Sequence, residues 1–173
     1  MAPRRHPSLV PLSRDHRDAL ALAFRLHHPS PPGPATAVTP PSTPAGRAAE
    51  VLDFFVVHLD GHFRAEEVIL FPAIEAHVAP DAPTAVLLHA LRDEHRLLAQ
   101  LRDAIAGALD ADDDTRDARL AAPLQELADV LERHVRREER ELFAEFPVLV
   151  PESEASALSP RIDEVLRARP LRP

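Results

Sequence analysis

The chain of 173 residues carries a formal charge of −8, and its 20 basic residues, all arginine, are outnumbered by 28 acidic ones. A nucleic-acid surface needs a clustered basic surplus to neutralise phosphates, so this balance argues against one. Cysteine, tyrosine and tryptophan are absent, which excludes disulfides, thiolate nucleophiles, Cys-ligated zinc, iron–sulfur clusters and tyrosyl radicals.

Leu, Ala, Arg and Glu are abundant, only 4 glycines occur, and no stretch alternates with period 2, so the class is all-α. With 45% hydrophobic residues one buried core is expected, in a single domain over 1–150 followed by a tail over 151–173. The opening MAPRRHPSLVPL lacks the apolar run of a signal peptide and no stretch approaches a membrane span. A cytoplasmic protein without membrane or nucleic-acid partners is the expectation.

The first predicted helix covers 9–28, with Leu12, His16, Ala19, Ala23 and Leu26 along one stripe. Residues 29–44, PSPPGPATAVTPPSTP, hold seven prolines in sixteen positions and predict an extended first connection. A second helix over 45–78 places Leu52, Phe55, Leu59, His62, Glu66, Ile69 and Ala73 on its stripe. After the break APDAP, a third helix over 83–109 presents Leu88, Leu91, His95, Leu98 and Ile105. The acidic turn LDADDDTRD suits the positive end of a fourth helix over 115–146, whose stripe reads Leu120, Leu124, Leu127, Leu131, His134, Glu138 and Leu142. A short tail helix near 160–168 follows, with Ser159 as cap and Pro160 in its first turn. Four such helices with short second and third connections predict an antiparallel up-and-down bundle.

The apolar stripes are interrupted at corresponding places. Residues 62–71 read HFRAEEVILF and residues 134–143 read HVRREERELF, the same H-x-R-x-E-E-x-x-L-F pattern twice. Spacing i, i+4 sets His62 over Glu66 and His134 over Glu138, while SRDHRDAL around His16 is loosely echoed by LRDEHRLL around His95. A carboxylate in a bundle core costs several kcal/mol unless it is paired or bound to metal. Arg64 and Arg136 lie two positions from the stripe histidines and point away, so a buried Arg–Glu pair is a poor explanation. A lone His on an apolar face is ordinarily bonded to a carbonyl, but two repeated HxxxE pairs make His16, His62, Glu66, His95, His134 and Glu138 a metal-ligand set.

Imidazole and carboxylate together suit iron or manganese better than calcium or copper. Two iron ions joined by bridging Glu66 and Glu138 would each receive two nitrogens and two oxygens. Positions would remain for an oxo or hydroxo bridge and an outside ligand; manganese and zinc rank behind iron.

Among the other histidines, His58 stands four residues before His62 and is a candidate additional ligand. His89 is turned about 120° from His95 and reads as rim. His6, His27, His28 and His77 lie near ends or breaks and read as solvated. Glu67, Glu139, Asp15 and Glu94 each adjoin a proposed ligand and are either solvated or support the free N–H of a metal-bound histidine. The run Asp110, Asp112, Asp114 lacks the Gly and final Glu of a calcium loop, with Thr115 and Ala121 in their places.

The order of lone His, HxxxE, lone His and HxxxE over roughly residues 9–147 resembles the hemerythrin-like, HHE cation-binding family. The LFP-type ends at Leu70, Phe71 and Pro72 and at Leu142 and Phe143 belong to the same likeness. The resemblance implies a non-haem di-iron bundle that binds or senses oxygen, peroxide or nitric oxide. Hemerythrin proper places a further His where this chain has Leu91, and closes with His and Asp at wider spacing where this chain has His134 and Glu138. These departures point away from a simple oxygen carrier. Two alternatives stand beside binding or sensing: a catalase-like or peroxide-reducing di-iron enzyme, and a metal-free structural bundle.

Overall fold

A computed structural model describes residues 5–29, 43–111 and 114–168, which are helical with no strand among them. A 3₁₀ turn at Pro7–Leu9 leads into the first helix, Val10–His27. The second helix spans 44–75 and the third Pro83–Leu109. The fourth spans 116–149 and the fifth is Glu152–Arg167. Of the first connection, residues 30–42 lie outside the described residues, as do Asp112 and Asp113 of the acidic turn. None of the described helices is long and apolar enough to cross a membrane.

Local chemistry explains the starts. Thr43 accepts the Gly46 N–H at 3.1 Å while Pro44 takes the first helical position, and Pro83 does the same for the third helix. Asp117 occupies the first turn of the fourth helix, where a negative charge meets the free N–H groups.

The described helices number five, as four and a tail predict, but the tail helix is longer than expected. The tail helix begins at Glu152, directly after Pro151, and Pro160 lies inside it rather than in its first turn. Glu152 and Glu154 complement its N-terminus. Pro160 and Ser156 are exposed, so the carbonyl that Pro160 leaves without an amide partner faces water. Ala155, Leu158 and Ile162 form its buried stripe. His6, expected in solvent, is also buried. Its Nδ1 accepts the Ser8 N–H, its Nε2 is 3.3 Å from Glu152, and its ring lies against Phe146. His77 reaches Glu154 at 2.8 Å, so two histidines hold the start of the fifth helix.

The predicted stripe residues are buried, apart from the half-buried Leu52. They divide into two apolar clusters. One gathers Leu12, Leu70, Phe71, Leu88, Leu91 and Phe146 with the fifth helix. The other gathers Leu22, Phe55, Leu98, Leu101, Leu127 and Leu131. Between them runs a polar layer at positions 16, 62, 66, 95, 134 and 138. Because Leu158 is 2% exposed within the first cluster, Leu158→Ala should cost about 2–4 kcal/mol in urea unfolding with an unchanged slope. A loss below ~0.5 kcal/mol, the range of ordinary surface substitutions, would mean the fifth helix is not part of the core.

Candidate metal centre

The polar layer is built by the repeat. His16 comes from the first helix, His62 and Glu66 from the second, His95 from the third, and His134 and Glu138 from the fourth. All six are at most 4% exposed. Each copy of the motif also contains a π-turn that starts on its first glutamate, Glu66–Leu70 and Glu138–Leu142. The Phe71 N–H bonds to the Glu66 carbonyl and the Phe143 N–H to the Glu138 carbonyl, an i→i+5 closure of the kind frequent at functional sites. The wider turn brings the phenylalanine back toward the face of its glutamate. Phe71 then stacks over His95 at 5.8 Å and Phe143 over His16 at 5.2 Å.

All four imidazoles turn Nε2 inward. His16 Nε2 is 3.0 Å from His62 Nε2, and His95 Nε2 is 3.2 Å from His134 Nε2. Glu66 spans both pairs, with Oε1 3.0 Å from His62 and 3.7 Å from His16, and Oε2 3.3 Å from His95. Glu138 Oε2 lies 3.0 Å from His16 and 3.4 Å from His134. Two groups that could hold a metal ion result: His16, His62, Glu66 and Glu138, and Glu66, His95, His134 and Glu138.

The outer nitrogens are held by carboxylates. Glu139 meets His16 Nδ1 at 2.7 Å, Glu67 meets His95 Nδ1 at 2.8 Å and Glu94 meets His134 Nδ1 at 3.1 Å. Asp15 lies 3.5 Å from His62 Nδ1. An imidazole that donates from Nδ1 to a carboxylate presents the Nε2 lone pair, the tautomer a metal requires. Two such lone pairs at 3.0 Å repel unless a proton or cation lies between them. All four oxygens of Glu66 and Glu138 are moreover buried with no well-aligned hydrogen bond among the described residues. Burial this complete, with lone pairs converging from six groups, suits a bound cation.

Electrostatics point the same way. Burial opposes charge on His62, yet Glu66, Asp15 and Glu138 outweigh it and raise its pKa to about 10. His95, opposed by burial but facing Glu66, Glu67 and Glu138, is raised to about 9. Burial would push Glu66 up; His62, His16 and His95 hold it well below the usual carboxylate range instead. Glu94 is brought to about 2 as His134, Arg133 and Arg137 overcome its burial.

The structure places the expected residues as follows. The six converge, and Asp15, Glu67, Glu94 and Glu139 all face Nδ1 atoms, each on a histidine of a different helix. His58 joins neither group: it is half-buried, stacks on Phe54 at 4.6 Å and turns Nδ1 toward Asp15 at 3.6 Å. The i−4 position alone could not hold it on the inward face. His89 is exposed, as expected of a rim residue. Arg136 points away and pairs with Glu132. Sequence reading missed Arg133 and Arg137, which bond Glu94 at 3.2 and 3.0 Å, and Arg5 and Ser13, which bond Glu139. A signal existed for Arg137, which stands one turn from His134 on the side facing the third helix.

The Hemerythrin HHE cation binding domain model matches residues 9–162. No curated protein and no solved structure matches the chain.

His62 and His95 bind protons more tightly in the folded chain than in the unfolded one, where histidine titrates near 6.5. Their contribution to the stability of metal-free protein is complete below pH ~6.5 and lost as pH rises through 9–10. The melting temperature of metal-free protein should therefore fall from pH 7 to pH 10. Cations must displace those protons, so divalent-cation affinity should rise over the same range, with about two protons released per chain on loading at pH 7. Calorimetric titration in buffers of different ionisation enthalpy reads the count, and zero release would contradict the assignment.

Proposed function

The chain belongs to the Hemerythrin HHE cation-binding family, and on that premise we propose that it is a non-haem di-iron protein that binds or senses a small oxygen-type ligand. Oxygen, peroxide and nitric oxide are the ligands of this class. The observation that carries the reading is the set of four buried carboxylate oxygens on Glu66 and Glu138 facing four inward Nε2 atoms. Bound iron would supply one-electron chemistry and open positions for the ligand.

The chain's own residues do the rest. Glu66 and Glu138 each belong to both four-residue groups, so they would hold the two metals at one fixed separation. The carboxylates behind Nδ1 fix ring orientation and tautomer. Phe63, stacked on His95 at 4.0 Å, together with Phe71 and Phe143, covers the imidazole faces with apolar rings. Leu91, fully buried, keeps the third-helix side of the centre apolar.

We also read the four helices bearing these residues as the antiparallel bundle of the family, with the fifth helix added at one end. Support comes from cross-helix pairs whose numbers run oppositely. Ser13 meets Glu139 while His27 approaches Asp129. Asp60 meets Arg102 while Glu75 meets Arg92. Thr84 meets Glu145 while Glu94 meets His134.

A second reading, turnover of peroxide, is favoured by one further observation. The chain has no Cys, Trp or Tyr and a single Met, residue 1, so readily oxidised side chains are nearly lacking from its sequence.

Metal analysis of purified protein should find about two iron ions per chain, and chelation should lower the melting temperature. Peroxide or nitric oxide added to the reduced protein should change its absorption spectrum, and Glu138→Ala should abolish both the second metal and the change. A lasting adduct supports binding or sensing, whereas many turnovers of peroxide per chain establish the enzyme. Protein without stoichiometric metal, and with a melting temperature indifferent to chelation, would be a structural bundle instead.

A further inference from the structure

The four carboxylates behind the histidines are not equally committed. Asp15 and Glu94 have side chains 10% exposed and Glu139 21%, whereas Glu67 is 42% exposed. Glu94 is held by Arg133 and Arg137, and Glu139 by Arg5 and Ser13. Glu67 makes a single hydrogen bond among the described residues, to His95 at 2.8 Å.

The difference is a break in the repeat. Glu67 and Glu139 are the equivalent second glutamates of the two motifs, and each supports the lone histidine of a neighbouring helix. Ser13, three residues before His16, bonds Glu139 at 2.9 Å. The corresponding residue three before His95 is Arg92, which acts on Glu67 by charge but makes no hydrogen bond to it. It makes two bonds to Glu75, at 2.5 and 3.0 Å, and lies over the Phe71 ring at 5.3 Å. Glu67 is thereby left with water on one side and His95 on the other. His95 is also the most exposed of the six inward residues, at 4% against 0–2% for the rest.

A divalent cation cannot reach a fully buried donor set without exchanging its water for protein oxygen somewhere on the way, because the desolvation cost is otherwise borne all at once. We propose that Glu67 is the loading port of the centre: its carboxylate takes a hydrated divalent cation from solvent and, by rotating about its own side-chain bonds, passes it beside His95 to Glu66. The proposal rests on the reading of this layer as a metal centre. Arg92, fixed on Glu75 and Phe71, forms the fixed wall of the port, and Glu67 is its moving part.

A port and a mere support for His95 differ in kinetics. A port speeds entry, whereas a support slows exit only, so the uptake rate tells the two apart. The probe is Co(II), added to the full-length protein after its own metal has been removed by chelation. Uptake is followed by stopped-flow absorption of the d–d bands, and release by transfer to excess chelator. Glu67→Gln keeps an oxygen to accept the His95 N–H but removes the charge. It should slow uptake about tenfold, a change that the loss of support to His95 does not by itself produce. Glu139→Gln, the equivalent change at the clamped carboxylate, should leave uptake at the wild-type rate and speed release about tenfold.

Faster release with unchanged uptake in Glu67→Gln would reduce Glu67 to a support and overturn the port. Equal slowing of uptake in both variants would overturn it as well, by showing no preferred entrance. Wild-type protein that takes up no Co(II) would overturn the metal centre itself. Normal uptake that Glu67→Gln leaves untouched would overturn the port alone.

Discussion

Two carboxylates and four imidazoles buried at one level of an all-helical core set the terms for everything around them. Isolated, each such carboxylate would cost several kcal/mol. Among the described residues their oxygens face only the inward imidazole nitrogens, so compensation comes from positive charge shared within the layer. In the metal-free chain, protons on His62 and His95 provide part of it. A bound cation would do so more completely, so the same groups that make the layer costly also make it able to hold metal.

The arrangement of supports follows from that requirement. Four outer nitrogens each need an acceptor, and the acceptors sit beside the inward residues in sequence: Asp15 before His16, Glu67 after Glu66, Glu94 before His95, Glu139 after Glu138. Each one serves a histidine on another helix, so every helix is tied to a neighbour through the centre. Around this frame the two π-turns bring phenylalanines onto the imidazole faces, and the arginines of the fourth helix neutralise Glu94 from outside. The family match over residues 9–162 covers the whole of this frame and reaches into the fifth helix.

Much of this was legible in the residues. The stripes in steps of three and four located the helices, and the polar interruptions at His62, Glu66, His134 and Glu138 located the layer, because helical spacing fixes which side chains share a face. What spacing within one helix cannot supply is the identity of the neighbour. Hence Asp15 read as a companion of His16 yet faces His62, and Glu94 read as a companion of His95 yet faces His134. His58 shows the same limit: the i−4 position put it near His62 in projection, but Asp15 and Phe54 draw it to the flank. The fifth helix was mislocated because Pro160 reads as a helix start, while the exposed turn that tolerates it can be seen only once the helix is packed. His6 was misjudged for a related reason, since Phe146 and Glu152, far along the chain, are what bury it.

The polar layer also partitions the interior. No apolar contact zone runs the length of the molecule; one hydrophobic cluster ends at the layer and another begins beyond it. Cooperativity between the two half-cores is then transmitted by helix backbone and by whatever occupies the layer. Protons on scattered imidazoles couple the halves loosely, whereas cations held by all four helices would couple them rigidly. The occupant of the centre therefore decides whether the chain opens as one unit or as two. On the proposed reading, loss of metal would soften the chain at mid-length, a change felt far from the site itself.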